Sequence, residues 1–161
     1  MERIFAPWRM EYIGEEKPVG CVFCKSSIRS DEYLVQEGKT AYVMLNKYPY
    51  VSGHMLIVPT RHIGNLEDLS PEESKEMFIL LDRSVRVLKE AIKPEGFNIG
   101  MNIGKSAGAG VAEHLHIHVI PRWEGDTNFM SVVNDIRVIP EDLYKTAAKL
   151  VPLFKKYSQE D

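Results

Sequence analysis

Histidines alternate with apolar residues within residues 113–121, and an extended strand would place the two kinds of side chain on opposite faces. The segment reads Glu-His-Leu-His-Ile-His-Val-Ile-Pro, and successive side chains of a strand point to opposite sides of a sheet. Alternate positions lie roughly 7 Å apart along a strand, so the middle imidazole is predicted to have another on each side. One face would then carry the imidazoles of His114, His116 and His118. The other face would carry the aliphatic side chains of Leu115, Ile117 and Val119.

This clustering of histidines indicates chemistry rather than chance, because three of the five histidines in the chain fall within five positions. In one interpretation the imidazoles bind a catalytic metal such as zinc, which activates water. In the other, an imidazole nitrogen attacks phosphorus while its neighbours hold oxygens or deliver protons. The unperturbed pKa of histidine, about 6.5, leaves the ring largely neutral near pH 7 and suits a nucleophile. The spacing alone does not decide between them.

The remaining pattern predicts an α+β domain with an antiparallel sheet. Ser70-Pro71-Glu72-Glu73 combines an N-cap hydroxyl, a proline at the first helical position and a capping-box glutamate. The helix stripe that follows recurs at spacings of four and three residues and comprises Met77, Leu81, Val85, Leu88 and Ile92. The predicted strands cover 33–36, 41–45, 55–58, 97–103 and 115–120, and a second helix is predicted from about Pro140 through Phe154.

Length and charge restrict the class of protein. The 161 residues fit a single domain, residues 1–161, in which 1–31 form an irregular N-terminal arm. With 20 basic and 23 acidic residues the net charge is −3, unlike the basic domains that bind nucleic acid polymers. No apolar run is long enough to span a bilayer, and the N-terminus lacks the apolar region of a secretory signal. The sequence therefore predicts a cytoplasmic protein without a membrane partner.

The two cysteines, Cys21 and Cys24, form a Cys-x-x-Cys pair in the arm. In a reduced compartment such a pair favours a metal or redox role over a structural disulfide. His54 follows Gly53 at the start of a predicted strand, and we interpret it as a hydrogen-bonded structural residue.

The segment His114-Leu115-His116-Ile117-His118-Val119-Ile120 resembles the signature of the histidine-triad (HIT) family. The upstream Gly53–His62 segment resembles the family's strand motif, and the resemblance covers roughly residues 20–122. Residues 121–129 resemble the branch of diadenosine tetraphosphate phosphorylases and related dinucleoside polyphosphate hydrolases. The resemblance implies a curved antiparallel sheet with one long and one C-terminal helix, a nucleotide or dinucleoside polyphosphate substrate, and a homodimer.

The same resemblance assigns roles to individual residues. It makes His116 the nucleophile that attacks the α-phosphorus, and it places His118 against the phosphate and the leaving oxygen. Asn46 matches a polar residue near the ribose. The remaining predicted contacts to the phosphates are Asn102 and the backbone of Gly110, Val111 and Ala112. Many relatives carry Gln-Ser or Gln-Thr where this chain has Gly110-Val111, so those side-chain donors are absent. Either backbone amides replace them or Lys105 and Ser106 reach the phosphates, and the leaving-group preference stays open.

Several relatives resemble this chain in a further pattern, a structural zinc site made of two N-terminal cysteines and two histidines. The matching positions are Cys21, Cys24, His62 and His114. The leading functional hypothesis is cleavage of dinucleoside polyphosphates at the α-phosphate through a nucleotidyl-histidine, with phosphate or water as acceptor. The alternatives are a nucleotide-binding interaction module, a nucleoside phosphoramidate hydrolase, and a zinc hydrolase with all three histidines of the motif as ligands.

Overall fold

A computed structural model describes residues 20–24, 33–126 and 141–159. It contains one antiparallel sheet, whose strands lie in the order β1-β2-β3-β5-β4, and two helices. The strands are β1 (Leu34–Glu37), β2 (Ala41–Leu45), β3 (Met55–Pro59), β4 (Gly96–Gly100) and β5 (Ile117–Arg122); the helices are α1 (Pro71–Ile92) and α2 (Leu143–Tyr157). The predicted α+β class, with one long and one C-terminal helix, is confirmed. Pro140 and most of the 1–31 arm lie outside the described residues, and the assignment of 1–161 to a single domain stays a prediction.

Helix α1 begins where the capping motif predicts. The Ser70 hydroxyl accepts a hydrogen bond from the Glu73 backbone at 3.2 Å, and the Glu73 carboxylate accepts one from the Ser70 backbone at 2.8 Å. This reciprocal pair satisfies two of the amides that a helix start leaves without intrahelical partners. Glu73 also binds Arg61 through two hydrogen bonds of 2.9 and 2.7 Å, so the segment after β3 is tied to the helix start.

The sheet has a different apolar cluster on each face. Alternate residues of β2, β3 and β5 form the larger cluster together with both helices, and Val43, Ile57 and Val119 are fully buried in it. The opposite face carries a smaller cluster of Phe23, Tyr42, Leu56 and Val58. The smaller cluster leaves the adjoining strand positions on its face available for polar side chains.

The predicted stripe of α1 faces the larger cluster, but its centre is shifted. Met77 and Leu88 are buried, whereas Leu81, Val85 and Ile92 are partly buried at the edges of the contact. The centre of the contact instead includes Leu80 and Val87, together with a Ser84 side chain that bonds back to the Leu80 carbonyl at 2.7 Å. Because Ser84 is polar, a search for regularly spaced apolar residues does not identify it as part of the buried face of α1.

The turn between β1 and β2 is held by Glu76 of α1. Its carboxylate accepts hydrogen bonds from the backbone amides of Lys39, Thr40 and Ala41 at 2.8, 2.5 and 3.1 Å. A Cβ on Gly38 would lie 2.6 Å from this carboxylate, so the turn accepts only glycine there without displacing Glu76. Burial opposes ionisation of Glu76, but the hydrogen bonds outweigh it and its pKa is lowered.

Strand boundaries near the histidine motif differ from the prediction. Strand β4 ends at Gly100 rather than Ile103, and β5 begins at Ile117 rather than Leu115. In the observed register Gly100 pairs with His118, so continued pairing would place Ile103 opposite Leu115. The Leu115 amide instead donates to the Ile63 carbonyl at 2.6 Å, which takes the chain out of the ladder before β5 starts.

No helix in the described ranges combines the length and the apolar character that a membrane crossing requires.

Candidate active site and metal site

The third histidine of the motif, His118, is placed by the regular part of the sheet. It lies in β5, paired with Leu56 of β3 and Gly100 of β4. Ile117 and Val119, its neighbours in sequence, are buried in the helix-side cluster, so His118 projects from the other face. The predicted alternation is confirmed at these positions, although His114 and His116 precede the strand.

The partners of His116 determine which of its ring nitrogens carries the proton. Its Nδ1 lies 2.9 Å from the His114 carbonyl oxygen, and a carbonyl only accepts, so Nδ1–H is the donor. In the neutral ring Nε2 then carries a lone pair, and within the described residues it has no hydrogen-bond partner. Burial lowers the pKa of His116, although the hydrogen bond to the His114 carbonyl opposes this shift. The arrangement therefore leaves a lone pair on Nε2 of a neutral, hydrogen-bonded ring, which is the form of imidazole that can act as a nucleophile.

The proton of His118 is fixed by a chain of hydrogen bonds through His54. The backbone amide of Tyr50 donates to His54 Nδ1 at 3.1 Å, so His54 carries its proton on Nε2. That nitrogen lies 2.9 Å from His118 Nδ1, which must accept, and the proton of His118 is therefore on Nε2. Neutral His118 thus carries an Nε2–H donor, and its ring centroid lies 4.8 Å from that of His116.

Asn46 belongs to the same network. Its Oδ1 accepts from the Tyr48 amide at 2.9 Å, and its Nδ2 lies 3.3 Å from His54 Nδ1, where a donor matches the accepting nitrogen. Asn46 therefore lies beside His54 and helps to hold its ring. The ribose contact assigned to Asn46 stays a prediction.

His54 is the residue whose importance the sequence interpretation missed, although it is hydrogen-bonded as predicted. It is fully buried, and its ring centroid lies 5.2 Å from that of His118. The period of two could have found it, since His54 directly precedes β3 and lies two positions before Leu56, the partner of His118 across the sheet. Recognising this requires knowing that β3 and β5 are neighbours, which the sequence alone does not state.

His54 gives a pH-dependent prediction. Burial, followed by the proximity of His118 and His116, lowers the pKa of His54 to about 3. The unfolded chain takes up a proton near pH 6.5, so this group's contribution to stability is present above that pH and is lost as pH falls towards 3. The loss reaches at most about 1.4 kcal/mol per pH unit.

We expect the free energy of unfolding, measured with urea at about pH 7, 6 and 5, to fall less steeply in His54→Asn than in the unaltered protein. All other titrating side chains are common to the two proteins, so the difference in slope isolates His54 and its effect on His118. Equal slopes would show that His54 is not held neutral by burial.

The remaining predicted contact residues lie on the connection between β4 and β5. Asn102 is half-buried two residues after β4, Gly110 is exposed, and Val111 packs against the smaller apolar cluster. The Ala112 carbonyl approaches Gly64 so closely that a Cβ there would lie 2.9 Å from it. The structure thus brings Val111 to the face of the sheet that carries His118, and the phosphate contacts of Asn102, Gly110, Val111 and Ala112 stay predictions.

The four predicted metal ligands lie together. The ligand atoms of Cys21, Cys24, His62 and His114 are all within 4.8 Å of one another, and both cysteines are free thiols. Cys21 Sγ lies 3.3 Å from His114 Nδ1, and Cys24 Sγ lies 3.4 Å from His62 Nδ1. The cluster therefore could hold a metal ion.

The chemistry of His114 fits such a role. Its Nε2 donates to the Pro59 carbonyl at 2.8 Å, which leaves an unprotonated Nδ1 directed at the sulfurs. A histidine ligand usually donates its other N–H to a carbonyl or carboxylate in this way. Burial lowers the pKa of His114, which favours the neutral form that binds metals.

Comparison with known proteins agrees with this geometry. The sequence profile of the HIT domain matches residues 28–125. An AP-4-A phosphorylase of Mycobacterium tuberculosis is 41% identical over 158 residues, covering 91% of this chain and 80% of the relative. A bis(5'-adenosyl)-triphosphatase of Dictyostelium discoideum is 31% identical over 122 residues, covering 72% of this chain and 81% of the relative. A crystal structure of a Zn-bound histidine triad family protein from Mycobacterium smegmatis matches with a TM-score of 0.71 and 29% identity, over 88% of this chain and 97% of that one. The chain therefore belongs to the HIT domain family.

Proposed function

We propose that the protein is a nucleotidyl hydrolase or transferase that cleaves dinucleoside polyphosphates, such as diadenosine tetraphosphate, at the α-phosphate. The observation that carries this proposal is the pairing of a lone pair on His116 Nε2 with a donor on His118 Nε2, both deduced from their hydrogen-bond partners. The names of the relatives, AP-4-A phosphorylase and bis(5'-adenosyl)-triphosphatase, support this class of substrate.

In the first step the Nε2 lone pair of His116 forms a bond to the α-phosphorus. The bond from phosphorus to the bridging oxygen breaks, and the departing nucleotide keeps that electron pair while His118 donates a hydrogen bond to the oxygen. The His116 ring, now bonded at Nε2 and protonated at Nδ1, carries a positive charge. The His114 carbonyl accepts from Nδ1 and stabilises this charge, as electrostatic preorganisation requires.

In the second step the oxygen of phosphate or water attacks the same phosphorus. The phosphorus–nitrogen bond breaks, its electron pair returns to Nε2, and the acceptor loses a proton to solvent or to the site. In this proposal Asn46 contacts the ribose, while Asn102 and the backbone of Gly110, Val111 and Ala112 hold the phosphate oxygens. Backbone amides supply donors where relatives use side chains.

Zinc is the metal that we propose for the cysteine–histidine cluster, because two thiolates and two imidazoles form a closed, four-coordinate structural site. The Zn-bound relative from Mycobacterium smegmatis supports this choice. Cys21, Cys24, His62 and His114 would hold the ion and would tie residues 20–24 to the sheet. Zinc supplies stability in this proposal, and the nucleophile remains His116.

The proposal also includes a homodimer and a cytoplasmic location. Strand β4 is an edge strand of the described sheet. The apolar side chains of Ile99 in this strand and of Ile103, three residues after it, are 47% and 43% exposed. Edges of this kind invite pairing with another chain, which supports self-association.

Product analysis with diadenosine tetraphosphate, with and without phosphate, tests the function directly. ATP and ADP formed only with phosphate indicate a phosphorylase, and ATP with AMP indicates a hydrolase. Cleavage of adenosine 5′-phosphoramidate alone would favour the phosphoramidate hydrolase. Binding of AMP without turnover of any of these compounds would contradict an enzyme and favour a nucleotide-binding module.

A further inference from the structure

Phe23 connects the metal cluster to the proposed nucleophile. It lies between Cys21 and Cys24 in the chain, and its ring centroid is 4.8 Å from that of His116, with the planes inclined by 49°. The same ring meets His114 edge-on at 5.8 Å. Phe23 is only 8% exposed and His116 only 6%, so Phe23 covers part of the nucleophile's ring.

The segment that carries Phe23 is attached to the sheet at few points. The Cys24 amide donates to the Cys21 carbonyl at 3.1 Å and closes the turn, and the Tyr42 hydroxyl donates to the Phe23 carbonyl at 2.5 Å. Among the described residues, the remaining polar attachment is the group of contacts from Cys21 and Cys24 to His114 and His62. A metal ion would replace these weak contacts between sulfur and nitrogen with bonds.

We infer that Phe23 is a positioning residue through which the metal-bound Cys21–Cys24 turn holds the imidazole of His116 in its attacking orientation. The hydrogen bond from Nδ1 to the His114 carbonyl favours one setting of the ring, but rotation about the Cβ–Cγ bond can break it and redirect Nε2. Contact with Phe23 restricts that rotation. A displacement of about 1 Å at a reacting group can reduce rates by about 100-fold. Loss of the contact between Phe23 and His116 therefore slows the reaction, although it alters no group that touches the substrate.

The inference rests on the proposed function only where activity is measured, because the accessibility of His116 can be measured without substrate. Diethyl pyrocarbonate modifies unprotonated imidazole nitrogens, and peptide mass spectrometry gives labelling of His116 relative to His118. The proteins to compare are the zinc-loaded and chelator-treated forms of the unaltered chain, Phe23→Ala and Phe23→Leu. The matched control is Phe154→Leu, because Phe154 is 1% exposed in the cluster on the opposite face of the sheet.

We expect chelation of zinc and Phe23→Ala each to raise labelling of His116 relative to His118 by several-fold. We expect chelation to add little in Phe23→Ala, since both changes remove the same contact and coupled changes are not additive. Phe23→Leu keeps an apolar side chain against the ring and should recover much of the protection even if Phe23→Ala folds poorly. In activity assays the loss should fall on kcat rather than on KM.

Each of three outcomes would overturn the inference. Labelling of His116 could stay unchanged after chelation, or chelation and Phe23→Ala together could raise it by the product of their separate effects. The third is a rise in His116 labelling in Phe154→Leu equal to that in Phe23→Ala. If labelling behaves as expected but no nucleotide is cleaved, the proposed function fails and the coupling stands. If nucleotides are cleaved and labelling does not respond, only the coupling fails.

Discussion

Substitution of His116 by alanine is expected to reduce turnover of diadenosine tetraphosphate by on the order of 10⁴-fold or more, as removal of a covalent nucleophile does in other enzymes. In the proposed mechanism the ring supplies the attacking lone pair, and its Nδ1–H···O=C bond to the His114 backbone directs that lone pair. Neither His118 nor His54 has a ring nitrogen with an available lone pair. In both rings Nδ1 already accepts a hydrogen bond and Nε2 carries the proton. The loss should therefore appear in kcat.

The same variant should retain the fold and the binding of AMP, because the backbone of His116 is unchanged and the proposed nucleotide contacts are made by other residues. Rapid quenching with nucleotide labelled at the α-phosphate should show an acid-labile adduct on the unaltered protein and none on His116→Ala. His116→Gln serves as a control that keeps a polar group of similar length but offers no basic nitrogen. Turnover close to that of the unaltered protein in either variant would exclude the covalent mechanism.

The sequence predicted the parts of this site that follow from local periodicity. Alternation placed His118 on one face and Ile117 and Val119 on the other, and the structure confirms this. The capping motif at Ser70 and Glu73 predicted the first residue of α1 correctly. Both signals are local, because the relevant residues lie within a few positions of one another in the chain.

Features that depend on contacts between distant segments could not be predicted in the same way. The start of β5 depends on a hydrogen bond from Leu115 to Ile63, and no local pattern marks it. The hydrogen bond between His54 and His118 joins residues 64 positions apart in the sequence. Phe23 contacts His116 because the turn that carries it lies beside His114, and Cys21 of that turn is 93 positions from His114. For the metal cluster, family resemblance supplied what periodicity could not, since its four residues come from three separate segments.

Substitution of His118 by alanine is expected to reduce kcat by roughly 10²- to 10³-fold, the usual cost of removing one preorganised donor from a transition state. Burial, followed by the proximity of His116, lowers the pKa of His118 to about 4, so the ring of the free protein is neutral near pH 7. A neutral imidazole donates a hydrogen bond readily, but full transfer of its proton would leave a high-energy anion. The geometry thus favours His118 as a hydrogen-bond donor to an oxygen that departs as part of a phosphate anion.

This distinction predicts different effects for two substitutions at the same position. Glutamine can place an amide N–H near the position of His118 Nε2 but cannot transfer a proton, so His118→Gln should recover about tenfold of the activity lost in His118→Ala. The comparison is made on kcat for diadenosine tetraphosphate near pH 7, and His54→Asn should fall between them because it removes the bond that orients the donor. If His118→Gln is as impaired as His118→Ala, the leaving oxygen needs a proton rather than a hydrogen bond. His118 would then have to be protonated by the bound substrate before the first step, and the neutral tautomer set by His54 would describe only the resting protein.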